Sequence, residues 1–230
     1  MSCRALLLVS LTLAAYPVTG YAAGGLALSD TRLIIENGRS SVAIVMSNTT
    51  SIPFLTKAWI EDASGKRTED LMVVPPVVIS PPNKFSRFQI SVLNPQNLPA
   101  DRESVFYLNT HSAPGNGNPD NTLNVAYDTK LKVFFRPKGL SGSMADAIES
   151  LKWKLKNGVL TATNNSNFNV SVVTIGLDNN YKKLSGVVIS PRTSMQFKVA
   201  KKYPKNVTIR WAAMDDYGSP LIITRTISNE

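Results

Sequence analysis

Short apolar runs recur along most of the chain, and turn-forming residues separate one run from the next. The segment LIIENGRSSVAIVMSNTT contains two such runs around an Asn-Gly turn, and FLTKAWIEDASGKRTEDLMVV contains two more around Ser64-Gly65. Val, Ile, Phe and Tyr are frequent in these runs, which is typical of β-strands. The pattern predicts an all-β protein whose antiparallel strands pack as sandwiches.

One segment, SGSMADAIESLKW, has helical character instead, and Ser143 is a suitable N-cap for a short helix there. Strand-like runs resume after it and continue to the C-terminal end of the sequence. The turn-forming sequence PKGL at 137–140 interrupts the pattern near the middle of the chain. We therefore predict two immunoglobulin-like β-sandwich domains, residues 23–140 and 141–230.

The first 22 residues have the features of a cleaved secretory signal. Arg4 precedes an apolar run over residues 5–15, and Gly20 and Ala22 supply the small residues that a signal peptidase accepts. No later segment of the sequence approaches the roughly 20 apolar residues of a membrane-spanning helix. We expect residues 1–22 to be removed on export, which leaves a soluble mature protein.

Charge and cysteine content narrow the function classes of the exported chain. Cys3, the only cysteine, lies in the predicted signal, so the mature chain must hold its fold by core burial without disulfides. It keeps 24 of the 25 basic residues and all 16 acidic ones, a net charge of +8. Because an exported chain rarely meets nucleic acid, we interpret the cations as solvated strand and turn faces and predict no nucleic-acid partner.

Residues suited to catalysis are scarce in this sequence. His111, the only histidine, lies in a Gly-, Asn- and Pro-rich segment, residues 110–122, which predicts a solvated loop. The sequence contains no metal-ligand cluster, no nucleophile elbow and no phosphate-binding glycine loop. Acidic pairs beside the predicted turns are more typical of turn formers than of acid/base couples. We therefore predict a binding protein with no enzymatic activity, no metal and no cofactor.

The segment TLNVAYDTKLKVFFRP, residues 122–137, is about twice as long as a usual strand. Alternate residues of a strand share a face. One row is mostly apolar and the other carries cations: Leu123, Val125, Tyr127, Thr129, Leu131, Val133 and Phe135 form the first, and Asn124, Ala126, Asp128, Lys130, Lys132, Phe134 and Arg136 the second. One buried face explains the first row completely. The length and the cations indicate that one end of the strand is available to another chain by β-addition.

Six segments occur in a characteristic order along the chain: PFLTKAWIEDASG, VVPPVVISPP, LPADRESVFYLN, TKLKVFFRP, VVISPRTSMQF and DDYGSP. In sequence and in order they resemble the PapD-like periplasmic chaperones of the chaperone/usher pilus pathway. The resemblance covers essentially the whole mature chain. It implies two sandwiches set at an angle, with a cleft between them, in a periplasmic protein.

The resemblance also implies a binding site in that cleft. In this family an arginine of the first strand and a lysine of the last strand of the N-terminal domain grip the terminal carboxylate of a pilin. Arg32 and Lys132 hold these positions. Leu123, Val125 and Tyr127 would then insert into the pilin's open groove, in a register that the anchored carboxylate fixes. Insertion would supply most of the affinity, at roughly 1.5–3 kcal/mol for each buried side chain, and the cations would supply register and selectivity.

The family also has an ion cluster that holds its two domains at a fixed angle. Glu103, Arg136 and Asp216 hold the corresponding positions in this chain. We expect such a cluster to orient the cleft rather than to add net stability, because buried ion pairs often roughly break even.

The predicted function is a periplasmic chaperone that binds, folds and stabilises pilin subunits by donor-strand complementation and delivers them to an outer-membrane usher. We also consider a self-dimer that covers the donor strand, because an exposed strand of this kind promotes aggregation. The alternative is a secreted two-domain β-sandwich that acts as an adhesin or a carbohydrate-binding protein. A polar pocket with exposed aromatic side chains at a sandwich tip would favour that alternative.

Overall fold

The computed structural model of the chain describes residues 24–36, 38–115, 125–178, 180–199 and 203–229. Its strands form two successive β-sandwiches, which we call the N-terminal sandwich and the C-terminal sandwich. Within these residues no helix has the length and apolar character needed to cross a membrane. The predicted signal, residues 1–22, lies outside the described residues.

The N-terminal sandwich consists of strands β1 to β9 in the described part of the chain. Their bounds are Leu26–Leu28 (β1), Arg32–Ile35 (β2), Ser41–Asn48 (β3), Phe54–Glu61 (β4), Leu71–Val74 (β5), Val77–Ser80 (β6), Lys84–Val92 (β7), Ser104–Pro114 (β8) and Tyr127–Phe135 (β9). One sheet has the strand order β1-β3-β7-β5 and the other has the order β2-β9-β8-β4-β6. A 3-10 helix, Pro95–Asn97, precedes β8.

Alternation of apolar and polar residues decides which face of each strand enters the core. In β9, Leu131 and Val133 are buried in the core and leave Lys132 on the opposite face of the sheet. Buried apolar residues from both sheets form this core, namely Leu33, Ile35, Ile44, Met46, Ala58, Ile60, Leu71, Val73, Phe88, Ile90, Phe106, Leu108, Leu131 and Val133. Core burial therefore fixes the direction of the cation-bearing row of β9.

The first two strands, β1 and β2, belong to different sheets of the N-terminal sandwich. β1 pairs antiparallel with β3, whereas β2 pairs in parallel with β9. The β2 ladder is only four residues long and reaches β9 at residues 132–135. β2 therefore covers only one end of the outer edge of β9.

The C-terminal sandwich consists of a short helix and strands β10 to β16 in the described residues. Their bounds are Met144–Glu149 (α1), Lys152–Lys156 (β10), Val159–Asn164 (β11), Val170–Leu177 (β12), Asn180–Ile189 (β13), Thr193–Lys198 (β14), Asn206–Met214 (β15) and Pro220–Ser228 (β16). One sheet has the order β10-β11-β14 and the other has the order β13-β12-β15-β16. Trp211 is fully buried in this core, and its Nε1 atom donates to the carbonyl oxygen of Ile148 at 3.2 Å.

The predicted helix is confirmed as α1, and Ser143 is its N-cap. The Ser143 Oγ atom accepts a hydrogen bond from the backbone N–H of Asp146 at 3.1 Å, which satisfies one of the free donors of the first turn. The helix buries Met144, Ala147 and Ile148 against the C-terminal sandwich. A single apolar face is thus enough to hold this short helix in place.

The predicted all-β fold with two sandwiches is confirmed, and the bounds at residues 140 and 141 stay a prediction. The predicted loop at 110–122 is wrong at its start, because β8 continues to Pro114. His111 pairs with Lys57 of β4 on one side and with Asp128 of β9 on the other. Ladder hydrogen bonds on both sides outweigh the local loop preference of this segment. Residues 116–122 lie outside the described part of the chain.

Candidate functional site

Arg32 and Lys132 lie side by side where the two sandwiches meet. β2 and β9 pair in parallel, and these two residues are partners in the register. Because Leu33 and Leu131 are buried in the core, the neighbouring cations lie on the opposite face of the sheet. The Nη1 atom of Arg32 donates to the carbonyl oxygen of Met214 in the C-terminal sandwich at 3.3 Å. The two residues predicted to bind a carboxylate are therefore neighbours at the junction.

Arg32 has an unused hydrogen-bond donor. Its Nε atom is buried and has no hydrogen-bond acceptor among the described residues. Burial lowers the pKa of Arg32, while the carboxylates of Asp215, Asp216 and Glu103 act in the opposite direction. A buried N–H group without an acceptor costs free energy, and an anion that bound there would recover it.

Lys132 is a cation without a carboxylate partner among the described residues. Burial lowers the pKa of Lys132, and the positive charge of Arg32 lowers it further. Lys132 lines a cavity together with Tyr107 and Lys130 of the N-terminal sandwich and with Gly186 of β13. Lys132 at this cavity and its neighbour Arg32 are both partly desolvated, and they can bind a carboxylate by donating charge-assisted hydrogen bonds to it.

Lys130 is a third cation on the same face of β9, and the predicted site did not include it. Its Nζ atom donates to Oε2 of Glu61 at 2.9 Å and lies 4.7 Å from the ring centroid of Tyr107. The Trp59 indole donates to Oε1 of Glu61 at 2.8 Å, and the hydrogen bonds from Trp59 and Lys130 lower the pKa of Glu61. Glu61 thus already balances the charge of Lys130. In the sequence, only its position two residues before Lys132 indicated that Lys130 lies on the same face.

The outer edge of β9 has an occupied part and an unoccupied part. β2 pairs with residues 132–135, whereas β8 pairs with the inner edge of β9 over its whole length. Residues 127–131, which we call the free edge, have no strand partner on their outer side among the described residues. Their outward backbone N–H and C=O groups can pair with another chain. The free edge ends at the pair formed by Arg32 and Lys132.

The three residues predicted to insert into a partner differ in their surroundings. Leu123 lies outside the described residues. Val125 precedes β9 and is 46% exposed. Tyr127 is half-buried, and its ring packs edge-on against Phe54 with 5.6 Å between the ring centroids. The apolar row thus runs from the core, at Leu131, outward to an exposed side chain.

The strand predicted over residues 122–137 is shorter in the structure. β9 begins at Tyr127 and ends at Phe135, so the prediction is wrong for 125–126 and for 136–137. The last ladder pair at the outer end joins Tyr127 to Ser112 of β8. Within the described residues, Val125 and Ala126 lack such a partner, so no ladder hydrogen bond holds these two residues extended.

Glu103, Arg136 and Asp216 meet between the two sandwiches. The Nη2 atom of Arg136 donates to Oε1 of Glu103 at 2.9 Å and to Oδ1 of Asp216 at 2.8 Å. The Nη1 atom of Arg136 donates to Oδ2 of Asp216 at 2.8 Å, so the pair is bidentate. Glu36 adds a longer contact to Nη1 at 3.4 Å. Both carboxylates predicted for the ion cluster therefore contact the predicted arginine directly.

Glu103 is the most buried member of this cluster, at 3% exposure. Its Oε2 atom accepts from the backbone N–H of Asn169 at 2.9 Å, and its own N–H donates to the carbonyl oxygen of Asn167 at 2.8 Å. Burial raises the pKa of Glu103, although the charge of Arg136 opposes this. Burial disfavours the charged form of Arg136, but its hydrogen bond to Asp216 and the charge of Glu103 raise its pKa overall.

A further polar contact between the sandwiches was not predicted from the sequence. Arg192, in the turn between β13 and β14, donates from Nη1 to the carboxylate of Asp101 and from Nη2 to the Asp101 carbonyl oxygen at 3.1 Å. Its Nη2 atom also donates to Oδ1 of Asn167 at 2.9 Å. The hydrogen bond from Arg192 lowers the pKa of Asp101. In the sequence these two residues are ordinary surface charges 91 positions apart, so no local pattern connects them.

Asp215, which precedes Asp216 in the chain, has a structural role in its turn. Asp215 accepts from the backbone N–H groups of Tyr217 and Ser219 at 2.9 and 2.8 Å, as expected of a turn former. In the part of the chain that the structure describes, no group of three His, Cys, Asp or Glu side chains is placed to hold a metal ion.

Two family models match the chain. The model described as pili and flagellar-assembly chaperone, PapD N-terminal domain, matches residues 25–141. The model described as pili assembly chaperone PapD, C-terminal domain, matches residues 146–221. The two matches follow the order of the two sandwiches.

Relatives and solved structures agree with these matches. The probable fimbrial chaperone SfmC of Escherichia coli K12 is 30% identical over 208 residues, which is 87% of each chain. The crystal structure of the YadV chaperone has a TM-score of 0.76 at 25% identity, covering 88% of this chain and 99% of that one. The SafB chaperone of Salmonella enterica, solved in complex with the SafA pilin, has a TM-score of 0.76 at 20% identity, covering 91% and 98% of the two chains. This last likeness concerns the fold alone.

Proposed function

The chain belongs to the family of PapD-like pilus assembly chaperones, and we propose that it binds a pilin strand along the free edge of β9. In this proposal Arg32 and Lys132 hold the terminal carboxylate of the pilin. The bound strand would lie beside β9 as an additional strand of the five-stranded sheet. Recognition would thus combine backbone pairing with a charge-assisted anchor.

The observation that carries this proposal is the place where the free edge ends. A strand paired with residues 127–131 would lie in line with β2 and would have to stop where β2 begins, at Arg32. Because β2 is parallel to β9, a partner strand whose carboxyl end meets Arg32 must also run parallel to β9. Its terminal carboxylate would then lie beside the unused Nε donor of Arg32 and the side chain of Lys132.

The proposed contacts have different energetic roles. Each charge-assisted hydrogen bond to the carboxylate contributes roughly 1.5–3 kcal/mol, and each ladder hydrogen bond contributes about 1 kcal/mol. Burial of Val125, Tyr127 and Leu123 in a pilin groove would contribute roughly 1.5–3 kcal/mol for each side chain before association costs. We therefore propose that the apolar row supplies affinity and that the anchored carboxylate sets the register.

The wider role that follows is donor-strand complementation. The apolar row would fill the groove of an incomplete pilin, which would fold and stabilise the subunit until it is delivered to an outer-membrane usher. We propose that residues 1–22 direct export and that this work takes place in the periplasm. In the free chaperone a second copy of the chain would cover the free edge, because an unpaired edge promotes aggregation. The adhesin or carbohydrate-binding alternative is not favoured, since the chain belongs to a chaperone family.

The test is capture of coexpressed pilin subunits by the wild-type chain and by the Arg32→Ala and Lys132→Ala variants. Loss of one charge-assisted anchor is expected to weaken capture about 10- to 100-fold. The matched control is Lys130→Ala, which removes a cation from the same face that is already paired with Glu61 and should capture normally. Equal capture by all four proteins would overturn the carboxylate anchor. Thermal unfolding of each variant verifies that its fold is intact.

A further inference from the structure

The chain segment that leads into β8, residues 101–103, is held by the C-terminal sandwich at both of its ends. At one end, the backbone N–H of Glu103 donates to the carbonyl oxygen of Asn167, and the Glu103 carboxylate accepts from the backbone N–H of Asn169. At the other end, both the carboxylate and the carbonyl oxygen of Asp101 accept hydrogen bonds from Arg192. The two attachments are only two residues apart along the chain, or roughly 7 Å in extended backbone.

Arg192 joins these attachments into one network. Its Nε and Nη2 atoms donate to Oδ1 of Asn167 at 3.3 and 2.9 Å, and the same Asn167 accepts from the backbone of Glu103. The guanidinium group thus binds Asp101 of one sandwich and Asn167 of the other. A planar fork that is held by acceptors on two elements fixes their relative orientation better than a single point contact does.

The position of Arg192 in its turn connects this contact to the cleft. Arg192 has a backbone φ of +59°, in the left-handed region, and follows β13 after a short turn at Ser190 and Pro191. Gly186 of the same strand lines the cavity that also contains Lys132. A shift of this turn would therefore move the wall of the cavity that faces Lys132.

We propose that Arg192 is a positioning residue for the cleft. The cluster around Arg136 and the hydrogen bond from Arg32 to Met214 attach the C-terminal sandwich near β2 and the end of β9, and a small rotation about these contacts would still be possible. The contact of Arg192 with Asp101 prevents that rotation and keeps β13 opposite Lys132. This inference rests on the proposed function of the cleft, since its consequence is efficient capture of a pilin carboxylate.

The informative variant is Arg192→Asp. Aspartate tolerates the left-handed backbone conformation, so the turn itself should stay folded. The variant places two carboxylates opposite each other and breaks the contact. The double variant Asp101→Arg with Arg192→Asp restores opposite charges in exchanged positions. The control is Arg225→Asp, the same charge change at an exposed residue of β16.

The first measurement is the distance between the sandwiches in the free protein. Spin labels at Arg87→Cys and Gln196→Cys, both exposed sites, report this distance in a mature chain that has no cysteine of its own. The distance distribution should broaden or shift in Arg192→Asp and return to the wild-type form in the exchanged pair. Because the contact is exposed, the Tm should fall by no more than about 4 °C.

The second measurement is pilin capture by the same proteins, with Lys132→Ala as the reference for loss of the anchor. Capture should fall at least about fivefold in Arg192→Asp, recover in the exchanged pair and stay normal in Arg225→Asp. Unchanged distances, or changed distances with normal capture, would overturn the role of Arg192 even if Lys132→Ala loses capture. Normal capture by Lys132→Ala would instead overturn the proposed anchor and, with it, the consequence drawn for Arg192.

Discussion

Arg32 and Lys132 are two neighbouring cations that repel each other, and neither makes a salt bridge among the described residues. Burial lowers the pKa of both side chains, so keeping them charged costs free energy in the unbound protein. Sites that bind a charged ligand often reduce stability in this way, since the ligand is needed to complete them. The loss of stability from these buried charges indicates a ligand most strongly at Arg32, because Arg32 also has a buried donor without an acceptor.

Replacement of Lys132 by methionine should therefore make the free protein more stable, by up to about 1 kcal/mol, while it weakens pilin capture. The pKa of Lys132 is below its usual 10.5 in the folded state. Between that lowered pKa and 10.5 the unfolded chain binds more protons, so wild-type stability should rise with pH in this window. Lys132→Met should lack that rise, which urea unfolding at several alkaline pH values measures.

Lys130→Met is the matched control for this prediction. It removes a lysine of the same row whose charge Glu61 already balances, so it should not stabilise the protein. A lower free energy of unfolding in Lys132→Met than in the wild type would contradict the view that Lys132 destabilises the protein when no pilin is bound.

The nine residues of strand β9 fall into three parts with different surroundings. Leu131 and Val133 anchor it in the core, Lys132 reaches the cleft, and its outer end has a free edge. Phe134 lies in the cation-bearing row, yet it is 1% exposed and belongs to neither core. Its ladder partner Val105 lines the groove between the sandwiches. We infer that the docked C-terminal sandwich buries this end of the row, which leaves only its outer half in contact with solvent.

The alternation along this strand predicts opposite results for two neighbouring substitutions. Val125→Asp should weaken pilin capture about 10- to 100-fold, because it places a charge in the row that we propose enters the pilin groove. Ala126→Asp is the matched control on the opposite face, and it should capture within about twofold of wild type. Both residues are exposed in the free protein, so neither variant should lower its thermal stability. Equal losses in both variants would argue against insertion of one row.

The two sandwiches are joined by polar contacts that are costly to bury. Glu103 is almost fully enclosed, and burial raises its pKa even with Arg136 beside it. A buried ion pair of this kind contributes little net stability compared with apolar packing, but the loss of one partner leaves a buried charge without compensation. We propose that its main effect at the scale of the whole molecule is to define how the two sandwiches meet around the cleft.

Arg136→Ala should consequently lower the free energy of unfolding by about 3–5 kcal/mol at neutral pH. The double variant Arg136→Ala with Glu103→Gln should recover much of this loss, because no charge is left buried. A carboxyl whose pKa is raised in the folded state favours folding at low pH and loses that advantage as the pH rises through the raised pKa. The loss in Arg136→Ala should therefore shrink when the pH is lowered, as denaturant unfolding at pH 4 and 7 would measure. A loss that does not depend on pH would contradict this account.

Local sequence was sufficient for the features that depend on a residue and its near neighbours. The period of two along each run determined the strands and the face on which Lys132 lies, and Ser143 marked the start of α1. The order of several motifs indicated the family, and with it the members of the Arg136 cluster. The strands and the start of α1 were predictable because steric alternation and capping act within a few residues, whereas the cluster members followed from the resemblance to the family.

Only the tertiary structure decided the features that join distant parts of the chain. The ladders with β4 and β9 extended β8 through His111, and Glu61 neutralised Lys130 across neighbouring strands. The end of the free edge at Arg32 and the contact between Asp101 and Arg192 depend on how strands and sandwiches are arranged in space. No local pattern encodes such contacts, because their free energy arises from packing and burial that form only when the distant segments meet.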